Sequence, residues 1–458
     1  MHDWSHGYDT SVAYTYGFYR EMAPDWLDLA ARTAGHPSPR RDPAARFRYL
    51  ELGSGQGFGL CLLAAANPGG EFIGVDFMPD QVAHGRDLAE KAGLTNIRFV
   101  QADFLDLADA WPADFGTFDY VTLHGIYSWV PPRIRAAVVA CIAHATDPGS
   151  LVYISYNTQP GWLATMPFQH LSHLIKETSG KSGGAVFEDS LALFDRLRAG
   201  GAATFQILPG LKARLDAIKA RSTGYLVQEY LHEHWQPFWH SEVAKELAGA
   251  GLSHAGTATL AETMLPAILP PPLRDTILAQ ADARLRQDVQ DFTINQSFRR
   301  DLFRAGGDAP TPQPLGETRL CLLAPPAPNA TLKVEAAFGE IGLQYPAFAG
   351  ILGALATGPK TIDQLAALPG LREQGMANVR QLLLLLLHTG TLALEAAAPG
   401  DPAAAHRLNA VIAREAAQGA PYRHLAAPAL GSAVPATEAE LRERAKKSAE
   451  LPETPFNP

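Results

Sequence analysis

Cysteine is scarce. The 458 residues hold three, Cys61, Cys141 and Cys321, far apart and in no metal-ligand spacing. That excludes a disulfide framework and suits a reducing cytosol. Long apolar runs are missing too: the most apolar stretch, Leu382 to Leu387, is about a third of a membrane span. Basic residues show no excess. With 38 Lys and Arg against 47 Asp and Glu, the formal net charge is −9, which argues against broad binding to a phosphate backbone. The opening Met-His-Asp-Trp-Ser-His has neither the basic nor the apolar region of a secretory signal. These absences set the expectation of a soluble, cytoplasmic protein with no membrane or nucleic-acid partner.

What is present is ordinary globular material, 47% hydrophobic and 19% charged. The length predicts two or three cores. In the first half, strand-like and helix-like segments alternate. Phe47 to Leu52, Glu71 to Asp76, Ile97 to Ala102, Phe118 to Leu123 and Ser150 to Tyr156 read as strands. Phe58 to Ala66, Pro79 to Ala92 and Pro132 to Ala145 read as helices. Such alternation implies right-handed βαβ crossovers and a parallel, Rossmann-like α/β sheet.

Beyond Tyr156 the pattern loosens. Gln169 to Lys219 is helical with Gly-rich breaks, Glu242 to Ala250 is a helix, and Ser253 to Leu260 resembles a strand. Helices are expected over Pro272 to Arg304, and Arg319 to Leu323 reads as a strand. These last two strands are expected to complete the first sheet. Farther on, helices over Ala347 to Thr357, Thr361 to Ala367 and Val379 to His388, with a wing strand at Thr391 to Glu395, suggest a winged helix. The expected division is a cofactor core with an N-terminal lid over 1–160 and a helical regulatory region over 161–325, holding the last sheet strands. A winged-helix-like domain over 330–433 and a mobile tail over 434–458 follow.

The sharpest local signal is Glu51-Leu-Gly-Ser-Gly-Gln-Gly-Phe-Gly59. Gly53, Gly55 and Gly57 lie between a strand and a helix, where backbone must pass close to a ligand. A dinucleotide fingerprint GxGxxG fails here, because its sixth position is Phe58. The GxGxG form behind an acid is similar to the first motif of class I methyltransferases. Two strand ends add to it. Asp76, 23 positions after Gly53, can accept from both hydroxyls of a ribose, with Phe77 beside it; Asp103 can accept from an adenine amine, with Phe104 against the base. Each aspartate can equally cap the helix that follows it. Glu51, Ser54 and His124 complete the expected cofactor set.

More specific stretches follow strands four and five: His124-Gly-Ile-Tyr-Ser-Trp-Val-Pro-Pro132 and Tyr153-Ile-Ser-Tyr-Asn-Thr-Gln-Pro-Gly-Trp162. Together with Tyr225-Leu-Val-Gln-Glu-Tyr-Leu231 and Tyr422-Arg-His-Leu-Ala-Ala-Pro-Ala-Leu-Gly431, they resemble the class I methyltransferases that carry a methyltransferase regulatory domain. That group includes the rickettsial outer-membrane-protein lysine methyltransferases. Gln228 stands where the group usually has His. The resemblance implies S-adenosylmethionine as cofactor and leaves the methyl acceptor open.

Methyl transfer from a sulfonium needs positioning and exclusion of water more than acid–base machinery. Tyr127, Trp129, Tyr156 and Trp162 are therefore candidate walls for a methylsulfonium or an amine. His124 and Asn157 could align the acceptor or take a proton, or simply tie down the loops. The segment Tyr14 to Tyr19 is a candidate lid, with Tyr16 over the cofactor. Glu229, His232, Glu233 and His234 crowd together without a metal-ligand spacing, so no metal is expected.

The favoured expectation is a methyltransferase acting on a protein or peptide lysine amine. Rivals are methylation of a small molecule, such as a glycan or polyketide intermediate, and a cofactor-binding regulatory protein with little turnover. Between Thr331 and Glu395 four Lys and Arg face five Asp and Glu, so the C-terminal module is expected to dock on the core or hold a protein substrate rather than DNA.

Overall fold

The computed structural model describes residues 16–40, 42, 44–181, 183–219, 231–306 and 313–450. The Tyr225 to Tyr230 part of the regulatory signature, with Gln228 and Glu229, lies outside them, as do Tyr14 and Thr15 of the lid segment and the tail beyond 450.

Helix α1 (Pro24–Thr33) precedes strand β1 (Phe47–Leu52). The Rossmann-like half then runs α2 (Phe58–Ala66), β2 (Gly70–Asp76), α3 (Pro79–Lys91), β3 (Ile97–Gln101), α4 (Phe104–Asp109), β4 (Phe118–Leu123), α5 (Pro132–Ala145) and β5 (Thr146–Asn157). The five parallel strands and their helices stand as the sequence leads one to expect. Apolar side chains on both faces of β1, β2 and β4 fit a sheet covered on both sides.

An insertion follows with, among the described residues, four helices: α6 (Met166–Ser179), α7 (Gly183–Ala199), α8 (Thr204–Ile207) and α9 (Pro209–Ile218). They close over a small core of their own that includes Trp162, Phe168, Phe194 and Trp235. The chain returns through α10 (His240–Ala248), β6 (Leu252–Thr257), a 3-10 turn at Leu260–Met264, α11 (Pro271–Leu278), α12 (Ala283–Ile294) and β7 (Phe298–Ala305). The seven-stranded sheet has order β3-β2-β1-β4-β5-β7-β6, with β7 antiparallel to both neighbours.

Here the helical expectation for Pro272 to Arg304 fails at its end. Phe298-Arg-Arg-Asp-Leu-Phe-Arg-Ala305 is a strand although half its residues are charged. Alternate side chains face opposite sides, so Arg299 and Asp301 share a face and neutralise each other inside it, with Arg299 Nε 2.9 Å from Asp301. Charge thus hid a buried strand.

The chain then enters the C-terminal part with β8 (Arg319–Leu322), the hairpin β9 (Leu332–Ala336) and β10 (Gly339–Leu343), α13 (Tyr345–Leu355), β11 (Lys360–Thr361), α14 (Ile362–Ala366), α15 (Met376–His388) and β12 (Leu392–Leu394). Strand β8 does not complete the large sheet. It sits between β11 and β12 in a separate three-stranded sheet, which corrects the expected boundary at 325. Last come α16 (Ala403–Ala417), the hairpin β13 (His424–Ala427) and β14 (Ser432–Pro435), and α17 (Glu438–Glu450). Within the segment expected to be a tail, Leu441 is buried and α17 packs on α16.

Helix α2, Phe-Gly-Leu-Cys-Leu-Leu-Ala-Ala-Ala, is apolar around its whole circumference, as suits a helix buried on every side. The sheet covers one side. Helix α16 and strands β13 and β14 cover another, so N- and C-terminal parts share one core.

Candidate active site

At the carboxyl end of β1 the chain turns through Gly53 and Gly57, with φ of +76° and +68°. A Cβ at Gly53 would stand 2.5 Å from Ile126 Cδ1, and one at Gly57 2.5 Å from the Phe99 ring, so only glycine fits either place. The turn is held from two sides. Asp76 Oδ2 accepts the Gly55 N–H at 2.8 Å, and the Gln56 carbonyl meets His84 Nδ1 at 2.6 Å.

A two-lobed cleft opens over this turn. One lobe, about 770 Å³, is lined by Asp76, Phe77, Asp103, Phe104, Ile126 and Trp129 among others. The other, about 540 Å³, is lined by Phe18, Tyr19, Glu51, Ser54 and Gln56. Gly53, Gly55 and His124 face both lobes. The first lobe offers two acids between aromatic and aliphatic surfaces, the shape and chemistry of an adenosine site. The second offers a buried Ser54 hydroxyl without a partner and the Glu51 carboxyl, which suit an amino acid's carboxylate and ammonium. Burial, with the Asp76 charge close by, raises Glu51 to about 8. Burial also raises Asp76, against backbone N–H groups of Met78 and Gly55 that favour its charged form. Asp103 lines the lobe and also caps α4, accepting the Leu105 N–H at 2.8 Å.

His124 stacks on Tyr19 at 3.6 Å between ring centroids and pairs through Nδ1 with the Tyr153 hydroxyl at 2.9 Å. Desolvation and the Arg300 cation push its pKa down to about 3. The loop after β4 is tied twice to the end of β5: Ser155 Oγ accepts from Gly125 N–H at 3.0 Å, and Ser128 Oγ from Asn157 N–H at 2.8 Å.

The expected aromatic wall is not assembled from the four residues proposed for it. Trp129 lines the cleft. Tyr127 is buried in the core and donates to Glu246; Tyr156 donates to Asp301 at 2.6 Å on the same side of the sheet. Trp162 donates to the Ser297 carbonyl at 2.7 Å and packs on Trp235 in the insertion core. Asn157 is buried at the end of β5 and lines neither lobe. Tyr16 packs edge-on against His84 and Tyr422 and lines neither lobe, whereas Phe18 and Tyr19 of the same segment line one. Sequence reasoning placed Tyr19 in the lid segment without singling it out, and missed Tyr153 and Arg300. For Tyr153 a signal existed: in β5 it lies on the same face as Ser155, two positions on, and the post-β4 loop hangs over that face.

Comparison with known proteins agrees with the cleft. Residues 44–180 match a methyltransferase domain, and residues 222–304 match a family described as a predicted methyltransferase regulatory domain. The chain is similar to the PKMT2 protein of Rickettsia typhi, solved with AdoHcy, at a TM-score of 0.71 and 18% identity over 97% of this chain and 94% of that one. Fold, glycine turn and cleft define a class I methyltransferase that uses S-adenosylmethionine. Within that class, the chain belongs to the family that carries the regulatory domain. An uncharacterized Synechocystis protein, sll1526, is 37% identical over 79% of this chain and 71% of its own length. The uncharacterized protein RP789 of Rickettsia prowazekii is 28% identical over 56% of this chain and 45% of its own length.

Proposed function

We propose that the chain is an N-methyltransferase whose acceptor is a lysine amine of a protein. Glu51, Ser54, Gly55, Asp76 and Asp103 would hold the cofactor, and Tyr19, His124 and Trp129 would face the acceptor. Bound S-adenosylmethionine supplies an electrophilic methyl group on a sulfonium. The observation that carries the reading is the state of His124. With a pKa pushed down to about 3, it is a poor base at neutral pH, and burial raises the Tyr19 and Tyr153 hydroxyls. A hydroxyl or carbon acceptor would lack the base it needs there. An amine needs none once it is neutral, and the burial and Arg300 cation that act on His124 would favour the neutral form of an amine beside it. The likeness to rickettsial lysine methyltransferases supports the same choice. We read α13 to α15 with β8, β11 and β12 as a winged-helix-like unit that docks on the core and borders the protein substrate's path.

The test incubates candidate proteins with labelled S-adenosylmethionine, maps the product by mass spectrometry and follows rate against pH. Free lysine titrates near 10.4, so the rate should climb with pH below the bound amine's pKa. In His124→Asn that climb should persist. A loss above about a thousandfold in His124→Asn, with cofactor affinity intact, would mark His124 as a general base and overturn the amine reading.

A further inference from the structure

A second pocket of about 610 Å³ lies at the outer edge of the sheet, between the end of α1, strand β6, the Leu260–Met264 turn and helix α12. It shares no lining residue with the cofactor cleft, and all but Thr33 and Ala34 of its lining fall within the regulatory region 222–304.

Its walls are polar and acidic. Asp291 is 1% exposed; its Oδ1 accepts from Arg299, while its Oδ2 has no partner. Glu262 holds Gln296 Nε2 at 2.9 Å through Oε1, and its Oε2 meets the Thr257 hydroxyl at 3.4 Å. Arg299 is the cation that lines the pocket, and each of its nitrogens is already engaged: Nε on Asp301, Nη1 on Asp291, Nη2 on Gln287 at 2.9 Å. Two carboxylates and an amide oxygen therefore meet one guanidinium, Glu262 lines the same pocket, and a buried acceptor on Asp291 stays open. Burial raises Asp291 to about 7 and raises Glu262 as well, against the Arg299 charge that favours both carboxylates.

We infer that this pocket binds a small organic ammonium compound, its N–H groups meeting Asp291 Oδ2 and Glu262. A bare metal ion fits less well. Among the described residues, His240, His254 and Asp301 bring ligand atoms within 4.8 Å of one another, but Asp301 already holds Arg299 and the Tyr156 hydroxyl. The volume also suits a molecule of several heavy atoms. Through Arg299, Asp301 and Tyr156 the pocket connects to β5, whose Tyr153 hydroxyl meets His124 of the cleft.

The full-length protein is titrated by calorimetry with putrescine and with spermidine, and with 1,4-butanediol as the uncharged counterpart. Asp291→Asn risks unfolding by leaving Arg299 short of an anion. Two gentler variants are therefore used: Glu262→Gln, which removes one charge, and Gln290→Trp, which fills the mouth and leaves the ion pairs in place. At least one amine should bind saturably below about 10 mM while the diol does not, and each variant should weaken it about tenfold or more. No saturable amine binding in that range, equal binding of the diol, or amine binding unchanged in either variant would overturn the assignment.

Discussion

Asp76 does two jobs at one strand end. Its Oδ2 holds the Gly55 N–H and its Oδ1 the Met78 N–H at 2.9 Å, so the carboxylate is fixed before any ligand arrives. A ribose diol meeting an oriented carboxylate gains charge-assisted hydrogen bonds, and Asp76→Ala should weaken cofactor binding by about 2–3 kcal/mol. Calorimetry with S-adenosylhomocysteine on the folded variant measures this; unchanged affinity would remove Asp76 from the site. Glu51 makes a pH prediction. Its pKa is raised to about 8, so the carboxyl is mostly protonated at neutral pH in the free protein. The sign is that of a raised acid: Glu51's contribution to stability is full below the ordinary carboxylate range and fades as pH climbs through about 8. Pairing with the cofactor's ammonium demands the charged form, so binding releases a proton and affinity should rise with pH up to about 8. Above that the ligand's own α-amino group, near 7.7–8.0, loses its charge and affinity should fall. A peaked profile in wild type that loses its rising limb in Glu51→Gln is the expected result. A flat wild-type profile between about pH 6 and 8 would detach Glu51 from the ammonium.

At the scale of elements, helix α2 couples cofactor site and C-terminal part. Tyr422 stacks on Phe58 at 4.7 Å with parallel rings, and its hydroxyl meets His84 Nε2 at 2.8 Å and Glu415 at 2.9 Å. His84 in turn grips Gln56 in the glycine turn. Tyr422→Ala should cost about 3–5 kcal/mol as a large buried ring is removed; Tyr422→Phe should cost about 1 kcal/mol and still loosen the cofactor, because His84 loses a partner. Chemical denaturation and calorimetry on both variants separate the two effects. An alanine variant within about 0.5 kcal/mol of wild type would sink the argument. The parallel strands were readable because each is an apolar run bounded by turns, and the glycine turn because its chemistry is local in sequence. Strand β7 was not, since Arg299 and Asp301 cancel only once folded next to each other. The placement of the acceptor-side aromatics was not legible for a related reason. Aromatics that follow a strand can turn toward the cleft or into the core, and Tyr127 and Tyr156 turned inward to meet Glu246 and Asp301.

The whole molecule is built around a helix that the methyltransferase half cannot cover by itself. Leu60, Leu62, Leu63 and the alanines of α2 are all buried, though the sheet lies on one side only. The rest of the cover comes from far along the chain: α16, β13 and β14, with Asn67 Nδ2 donating to the Gly431 carbonyl at 2.9 Å, and Lys91 paired with Glu415 at 2.7 Å. Linear sequence could not display that pairing, because the two surfaces are separated by more than 300 residues. Reading 330–433 as a separate unit therefore missed that its second half belongs energetically to the first domain. The consequence is testable by truncation. A chain ending at residue 395 keeps every residue of the cofactor cleft but strips α2 of Leu408, Val411, Ile412, Tyr422 and Leu425. Each buried side chain of that kind contributes about 1.5–3 kcal/mol, so the loss of five is on the order of 8–15 kcal/mol, comparable with the stability of an entire domain. The truncated chain should accumulate in the insoluble fraction, and whatever stays soluble should bind S-adenosylhomocysteine poorly, because Gln56 and Phe58 have lost their backing. A soluble, cooperatively unfolding truncation with wild-type affinity by calorimetry would show that the C-terminal part merely rests on the core.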